Sequence, residues 1–340
     1  MKRVMLRLVP LVVLIAMITV TGFHSALADD SKKAGKTFTI ATINKMDGIP
    51  WFDRSAEGIK AFSEAHPNVK AFIQGPPKVD AALQTQMIED IIAQKVDAIC
   101  VTPFQPEPLE PVLKKAMDRN IVVITQEASN AKNIYYDIEA FDNASYGRHL
   151  MDAMAKGMGE KGEYAVFVAS LTSKTHNEWV DSAVAYQKAK YPKMKLVGTK
   201  NESYDDPQKA YEKMKEVLIK YPNIKGVQGS SAYDVVGIGQ AVEEAGLQNK
   251  ITVVGTSLPS MVGKLLESGA VKMASVWDPA LAARVESEIA LMILEGRGKQ
   301  IKTGLNLGIP GYEKIKVVGK VIYGQAWLDF TKENYKNYKF

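Results

Sequence analysis

Cysteine is almost absent: the 340-residue chain holds one, Cys100. A single thiol excludes an internal disulfide and any metal site built from several cysteines. It falls in the apolar run Asp97-Ala98-Ile99-Cys100-Val101 and reads as a buried strand residue. Histidine is scarce too. Past residue 28 only His66, His149 and His176 occur, scattered and without metal-ligand spacing, so no metal site is expected. Excess charge of one sign is also missing. The formal charge is +5, and Lys2, Arg3 and Arg7 at the start leave +2 on the remainder. That argues weakly against nucleic-acid binding, which favours a basic stripe. There is no Gly-x-Ser-x-Gly elbow and no phosphate-cradling P-loop. Gly237-Ile238-Gly239 is only a partial dinucleotide fingerprint, because Val242 stands where the third glycine belongs. No catalytic residue, cofactor or enzymatic activity is expected.

What is present begins with a leader. A basic start is followed by the apolar run Leu8–Val20 and by Ala26-Leu27-Ala28, a small-x-small site. This reads as a secretory signal peptide (residues 1–28) cleaved after Ala28. The run is shorter than the roughly 20 residues that a membrane span needs, so no stable membrane insertion is expected. The mature protein is expected outside the cytoplasm, in the periplasm of a double-membrane bacterium.

From Phe38 short β-rich runs alternate with longer helical ones. Predicted strands are Phe38–Ile43, Val69–Gln74, Ala98–Val101, Val122–Thr125 and Ile134–Tyr136. Between them lie predicted helices Asp53–Ala65, Val79–Gln94 and Pro108–Arg119. In the second of these, Val79, Leu83, Met87, Ile88 and Ile91 share one face, with Gln and Asp/Glu opposite. A second series follows Asn143, with strands Tyr164–Ala169, Lys195–Gly198, Gly226–Gln228, Thr252–Gly255 and Lys272–Val276. Its helices are Ala144–Met158, Asn177–Lys190, Pro207–Lys220, Tyr233–Ala245, Leu258–Ser268 and Pro279–Glu295. Repeated βα units predict parallel sheets covered by helices on both faces. The expected fold is therefore α/β, with two Rossmann-like lobes joined by three crossings. The crossings are placed near Asp137–Phe141, Trp277–Pro279 and Gly304–Tyr312. The lobes are placed at 37–138 plus 279–304 and at 139–278 plus 305–340. A ligand between two such lobes is enclosed by hinge closure.

Several local runs carry a resemblance. They are Lys45…Trp51-Phe52, Gln74-Gly75-Pro76, Val96-Asp97-Ala98-Ile99, Lys114-Lys115-Ala116-Met117, His176-Asn177-Glu178-Trp179 and Trp277-Asp278-Pro279. In this order the chain resembles the periplasmic sugar-binding proteins of the ribose-binding type, the type I solute-binding proteins of ABC importers. Within them it is most similar to the rhamnose and autoinducer-2 receptor branch. The resemblance implies a monomer that binds a small sugar or polyol and engages an importer permease. Alternatives are an autoinducer-2 receptor and a sensory sugar-binding subunit without transport. A sugar-responsive transcription regulator shares the fold, but it needs an N-terminal DNA-binding helix pair where this chain has a leader.

The resemblance implies a ligand set. Lys45 matches a lysine that contacts the ligand, Trp51 an aromatic that packs on it, and Trp277 a tryptophan before the last long helix. Glu127 stands in place of an aspartate. Thr175-His176 replaces an Asp-Gln pair, and Ser230 and Ala232 correspond to a proline and an alanine. Ser257 stands where the ribose type has an aspartate.

Chemistry supports these positions and adds others. Trp51, Phe52 and Trp277 offer ring faces whose negative quadrupole suits sugar C–H groups. Lys45 can donate to hydroxyls, and the Glu127 carboxylate can accept from two adjacent ones. Gln126 could act as its neutral counterpart, only one of the two pointing inward. Gln105 follows the third strand and is the polar candidate there. His176 is read as a ligand donor or as the start of its helix. In the group Ser230–Asp234 one hydroxyl caps the helix, leaving Tyr233 or Asp234 for the ligand. Ser257 is a candidate contact or a cap. Asp278 before Pro279 is read as a helix cap.

Overall fold

The computed structural model describes residues 36–340; the leader and its cleavage after Ala28 lie outside the described residues. The first series is β1 (Phe38–Ile43), α1 (Pro50–Ala65), β2 (Val69–Gln74), α2 (Ala81–Ala93), β3 (Ala98–Val101), α3 (Pro106–Asp118), β4 (Val122–Gln126) and β5 (Tyr136–Glu139). The second is α4 (Asn143–Met158), β6 (Gly162–Val168), α5 (Lys174–Lys190), β7 (Met194–Leu196), β8 (Asn201–Glu202), α6 (Pro207–Lys220), β9 (Ile224–Gly229), α7 (Ala232–Glu244), β10 (Thr252–Thr256), α8 (Pro259–Ser268) and β11 (Met273–Val276). Then come α9 (Pro279–Leu294) and three short strands, β12 (Lys316–Val318), β13 (Val321–Tyr323) and β14 (Leu328–Phe330).

Prolines set several helix starts. Helices α1, α3, α6, α8 and α9 each carry one in the first turn, where its fixed φ is pre-organised and its missing N–H has no partner to lose. Helix α1 therefore opens three residues earlier than predicted, with Trp51 and Phe52 inside its first turn. Helix α3 likewise opens at Pro106.

The strands form two sheets. The first has the order β2-β1-β3-β4-β5-β13-β12, parallel except for the β12–β13 hairpin. The second has the order β7-β6-β9-β10-β11-β14, with β8 also on β6 and only β14 antiparallel. In the first, Ile88, Ile91, Leu109 and Leu113 cover one face, and Phe62, Val285 and Ile289 cover the other. Burying each such side chain contributes about 1.5–3 kcal/mol. Helices α1 and α9 pack at close range: a Cβ on Gly58 would stand 2.1 Å from the Ala280 carbonyl oxygen. In the second, Met151, Met154 and Val180 pack against Val166 and Val254. Across that sheet Met214, Val235, Ile238 and Val262 pack against Val227 and Val253.

Two expectations need correction. The sequence pattern places residues 305–340 in the second lobe, but β12 and β13 extend the first sheet beside β5, and only β14 joins the second. Strands of three residues carry no readable period, and the free edge of β5 captures them. The third crossing accordingly falls at 324–327, not near Gly304–Tyr312.

Each sheet reverses its winding once. The chain leaves β1 for β2 on one side and returns to β3 on the other. It leaves β6 for β7 and returns to β9. Loops at the carboxyl ends of strands flanking such a switch form the natural ligand crevice of an open α/β sheet.

Candidate functional site

Side chains from the two switch points meet in one cavity between the sheets. On the first sheet the loops after β1 and β3 are stapled by Gln84. Its amide nitrogen donates to Asn44 O (3.1 Å) and Thr102 O (2.9 Å), and its oxygen accepts from Phe104 N (3.2 Å). Gln84 is fully buried, whereas Leu83, predicted on the apolar face, is 39% exposed. The staple fixes the loop that carries Lys45. Glu127 follows β4 in the left-handed region (φ 60°). On the second sheet the turn after β8 holds Tyr204 and Asp205 at φ 56° and 53°. It is pinned by Ser203 N to Val168 O (3.1 Å) and Tyr204 N to Ala169 O (2.8 Å). Two consecutive left-handed residues without glycine mark stored backbone strain.

The polar corner joins the lobes. Lys45 Nζ lies 3.0 Å from Asp205 Oδ2, both side chains largely buried. Asp205 also accepts from the Ser231 hydroxyl. Burial disfavours the Lys45 charge, but Asp205 and then Glu127 outweigh it, and its pKa ends above the ordinary value. Burial works against the Asp205 charge as well, yet Lys45, His176 and Ser231 hold it below the usual carboxylate range. Burial raises Glu127, with Lys45 opposing and Asp205 adding to the rise. Burial first, and then Lys45, push His176 down to about 3, so the ring is neutral. Its Nδ1 accepts from Ala169 N (3.3 Å), which leaves the proton on Nε2 as a donor.

The opposite side is aromatic. Trp51 and Trp277 meet edge to face, with centroids 4.9 Å apart at 80°. Trp179 stands 6.0 Å from Trp277 at 72°. Its indole N–H donates to Asn143 Oδ1 (2.7 Å). Gln126, with its amide oriented to satisfy both ends, donates to Glu286 and accepts from the Trp277 indole N–H (3.3 Å).

Of the twelve candidate residues, Lys45, Trp51, Phe52, Glu127, His176, Ser230, Ala232 and Trp277 line the cavity. Four do not. Gln105 is the residue before α3 and is not part of the cavity lining. Gln126 braces Trp277 from behind. Asp234 completes a capping box, accepting from Ser230 N (3.0 Å) and Ser231 N (2.8 Å). Ser257 donates to Ala232 O (2.9 Å). Asp278 caps α9 through Ala280 N (2.9 Å) and takes both arms of Arg54. Tyr233, left open beside Asp234, lines the cavity. Trp51 and Trp277 touch each other, so they form one wall and not two faces of a sandwich.

Asp205 is the charged cavity-lining residue that sequence reasoning missed. The available signal was its place after a strand and just before the Asp206-Pro207 helix start. Trp179 is both buried in the core and part of the lining.

A family model described as a periplasmic binding protein domain matches residues 40–299. The chain belongs to the periplasmic binding protein family. This family member is 25% identical over 220 residues to the D-ribose/D-allose-binding protein of Pseudomonas aeruginosa, covering 63% of this chain and 68% of that one. It is 24% identical over 204 residues to the D-allose-binding periplasmic protein of Escherichia coli, covering 58% of this chain and 65% of the relative. Two solved structures share its fold. One is an ABC transporter solute-binding protein from Clostridium phytofermentas with bound L-rhamnose (TM-score 0.81, 24% identity, 88% of this chain and 98% of that one). The other is LsrB from Clostridium saccharobutylicum in complex with AI-2 (TM-score 0.81, 22% identity, 89% and 100%).

Proposed function

We propose that this protein is an exported solute-binding protein that captures a sugar or sugar-like polyol between its lobes and delivers it to an ABC importer. It acts in the periplasm and performs no catalysis. The observation that carries this reading is the make-up of one cavity. A tryptophan wall faces Lys45 from one lobe and Asp205 from the other, 3.0 Å apart. The wall covers the apolar face of a ring. Lys45, Glu127, Asp205, neutral His176 and Ser230 read its hydroxyls. The sugars for which these relatives are named or with which they were solved, ribose, allose and rhamnose, support the same class.

A second reading, an autoinducer-2 receptor, draws on the LsrB likeness. His176 and Ser230, which depart from that receptor pattern, weigh against it. A thermal-shift screen of the mature protein against pentoses, hexoses, deoxysugars, amino sugars, polyols and autoinducer-2 tests both. A ligand at 100 times its Kd adds about 2.7 kcal/mol of stability, a rise of several degrees in Tm. A shift with one sugar class is expected. A shift with autoinducer-2 alone favours the second reading, and silence throughout removes the sugar assignment.

A further inference from the structure

We propose that the cleft admits neutral and amino sugars and rejects sugars bearing a carboxylate or phosphate, with Glu127 as the specificity-determining group. This inference rests on the sugar reading and concerns which sugars the same cavity takes.

The formal charges lining the cavity are Lys45, Glu127 and Asp205, one cation against two anions. The cation is already committed, because Lys45 pairs with Asp205 at 3.0 Å. Two further positive side chains near the cavity, Arg54 and Lys174, are engaged as well. Arg54 gives two bonds to Asp278, at 2.9 and 2.6 Å. Lys174 lines a narrower continuation of the cleft past Lys45, Glu127 and His176, and it pairs with Glu178 at 2.8 Å. His176 uses Nδ1 as an acceptor and is uncharged. The N-terminus of α7 would attract an anion through its free N–H groups. Asp234 already sits there and takes the Ser230 and Ser231 N–H bonds.

Glu127 has no such partner. No protein hydrogen bond reaches its carboxylate among the described residues, and its neighbours in charge are Lys45 and Asp205. Its backbone is held at φ 60° to place it there. A half-buried carboxylate that lines the cavity with no protein donor is open to hydroxyl or ammonium donors on the ligand. Among the described residues lining the cavity, a second anion opposite it meets no uncommitted cation, and like charges juxtaposed across a desolvated contact weaken binding by orders of magnitude.

The test is calorimetric titration at pH 7.5 with matched probes. D-glucose and D-galactose are compared with glucosamine, galactosamine, glucuronate and galacturonate, and D-ribose with ribose 5-phosphate. The expected result is that an acidic member binds at least about 100-fold more weakly than its neutral counterpart, while an amino member stays within tenfold of it. In Glu127→Gln the gap between neutral and acidic members should shrink by at least tenfold. An acid that binds within tenfold of its neutral counterpart in the native protein overturns the inference and leaves the sugar reading standing. So does a gap that E127Q leaves unchanged while neutral sugars still bind. The first comparison needs no variant, so a folding defect in E127Q does not protect the proposal. Silence with every carbohydrate overturns the sugar reading and this inference together.

Discussion

The two sides of the cavity are held in different ways. On the aromatic side each tryptophan is fixed by partners that do not depend on a ligand. Trp277 is braced by Gln126 and Glu286, Trp179 by Asn143, and Trp51 by the edge of Trp277. On the polar side an ion pair, Lys45 with Asp205, links the lobes, and among the described residues no protein donor reaches the Glu127 carboxylate. The first side is a preformed surface. The second is a set of charges that a ligand's hydroxyls must enter and share. On the proposed reading, ring shape is read by rigid packing, and hydroxyl pattern by groups that change partners on binding.

The largest expected break in this contrast is Trp277→Ala. Truncating so large a buried aromatic costs about 3–5 kcal/mol of stability, and it removes the wall. Chemical denaturation should show the loss, and calorimetry should show no sugar binding even below the unfolding transition. On the other side, Asp205→Asn leaves Lys45 buried and unpaired. It should lower binding by about 2–5 kcal/mol, with tryptophan packing intact by near-ultraviolet dichroism. Equal loss of packing in both variants would erase the distinction between the two sides. Gln84→Leu strips three partners from the loops after β1 and β3 without touching the cavity. Each unsatisfied buried group costs about 1–3 kcal/mol, so stability should fall while the order of sugar preference stays unchanged.

A smaller effect sharpens the account of the brace. Burial, with Asp137 and Glu127 adding repulsion, lifts Glu286 well above the ordinary carboxylate range. A raised carboxyl favours folding most fully below its unfolded pKa, and that advantage is lost as pH climbs toward its folded value. Glutamine at this position mimics the protonated form at every pH. Glu286→Gln should therefore remove up to about 1.4 kcal/mol per pH unit of falling stability between pH 5 and 7. Tm measured across that window should decline less steeply than in the native protein. His176, held down at about 3, acts in the opposite direction by losing stability below its ordinary pKa, and E286Q leaves that arm unchanged.

Much of the fold was legible because alternation and proline placement are local. Phe38–Ile43 and Pro207–Lys220 stand where the pattern put them. The cavity was legible to the extent that a side chain follows a recognisable strand, as Lys45, Glu127 and Ser230 do. Asp205 was not, since β8 spans only two residues and gives no period to read. Gln84 was hidden by its polarity: a glutamine on an otherwise apolar helix face reads as solvent-exposed, and only the two loop carbonyls explain its burial. The capping box Ser231-x-x-Asp234 was present in the sequence and, given its full weight, would have withdrawn Asp234 from the ligand set. The β12–β13 hairpin was assigned to the wrong lobe because sheet-edge pairing is decided by tertiary contact.

The most direct test uses the protein's own fluorescence. Three of its four tryptophans, Trp51, Trp179 and Trp277, line the cavity, while Trp327 stacks on His149 outside it. Titration with the sugar that gives the largest thermal shift should change the emission saturably at one-to-one stoichiometry, and Trp277→Phe should diminish the change where Trp327→Phe does not. A sugar that stabilises the protein while leaving the emission of Trp51, Trp179 and Trp277 unaltered would contradict binding against the tryptophan wall.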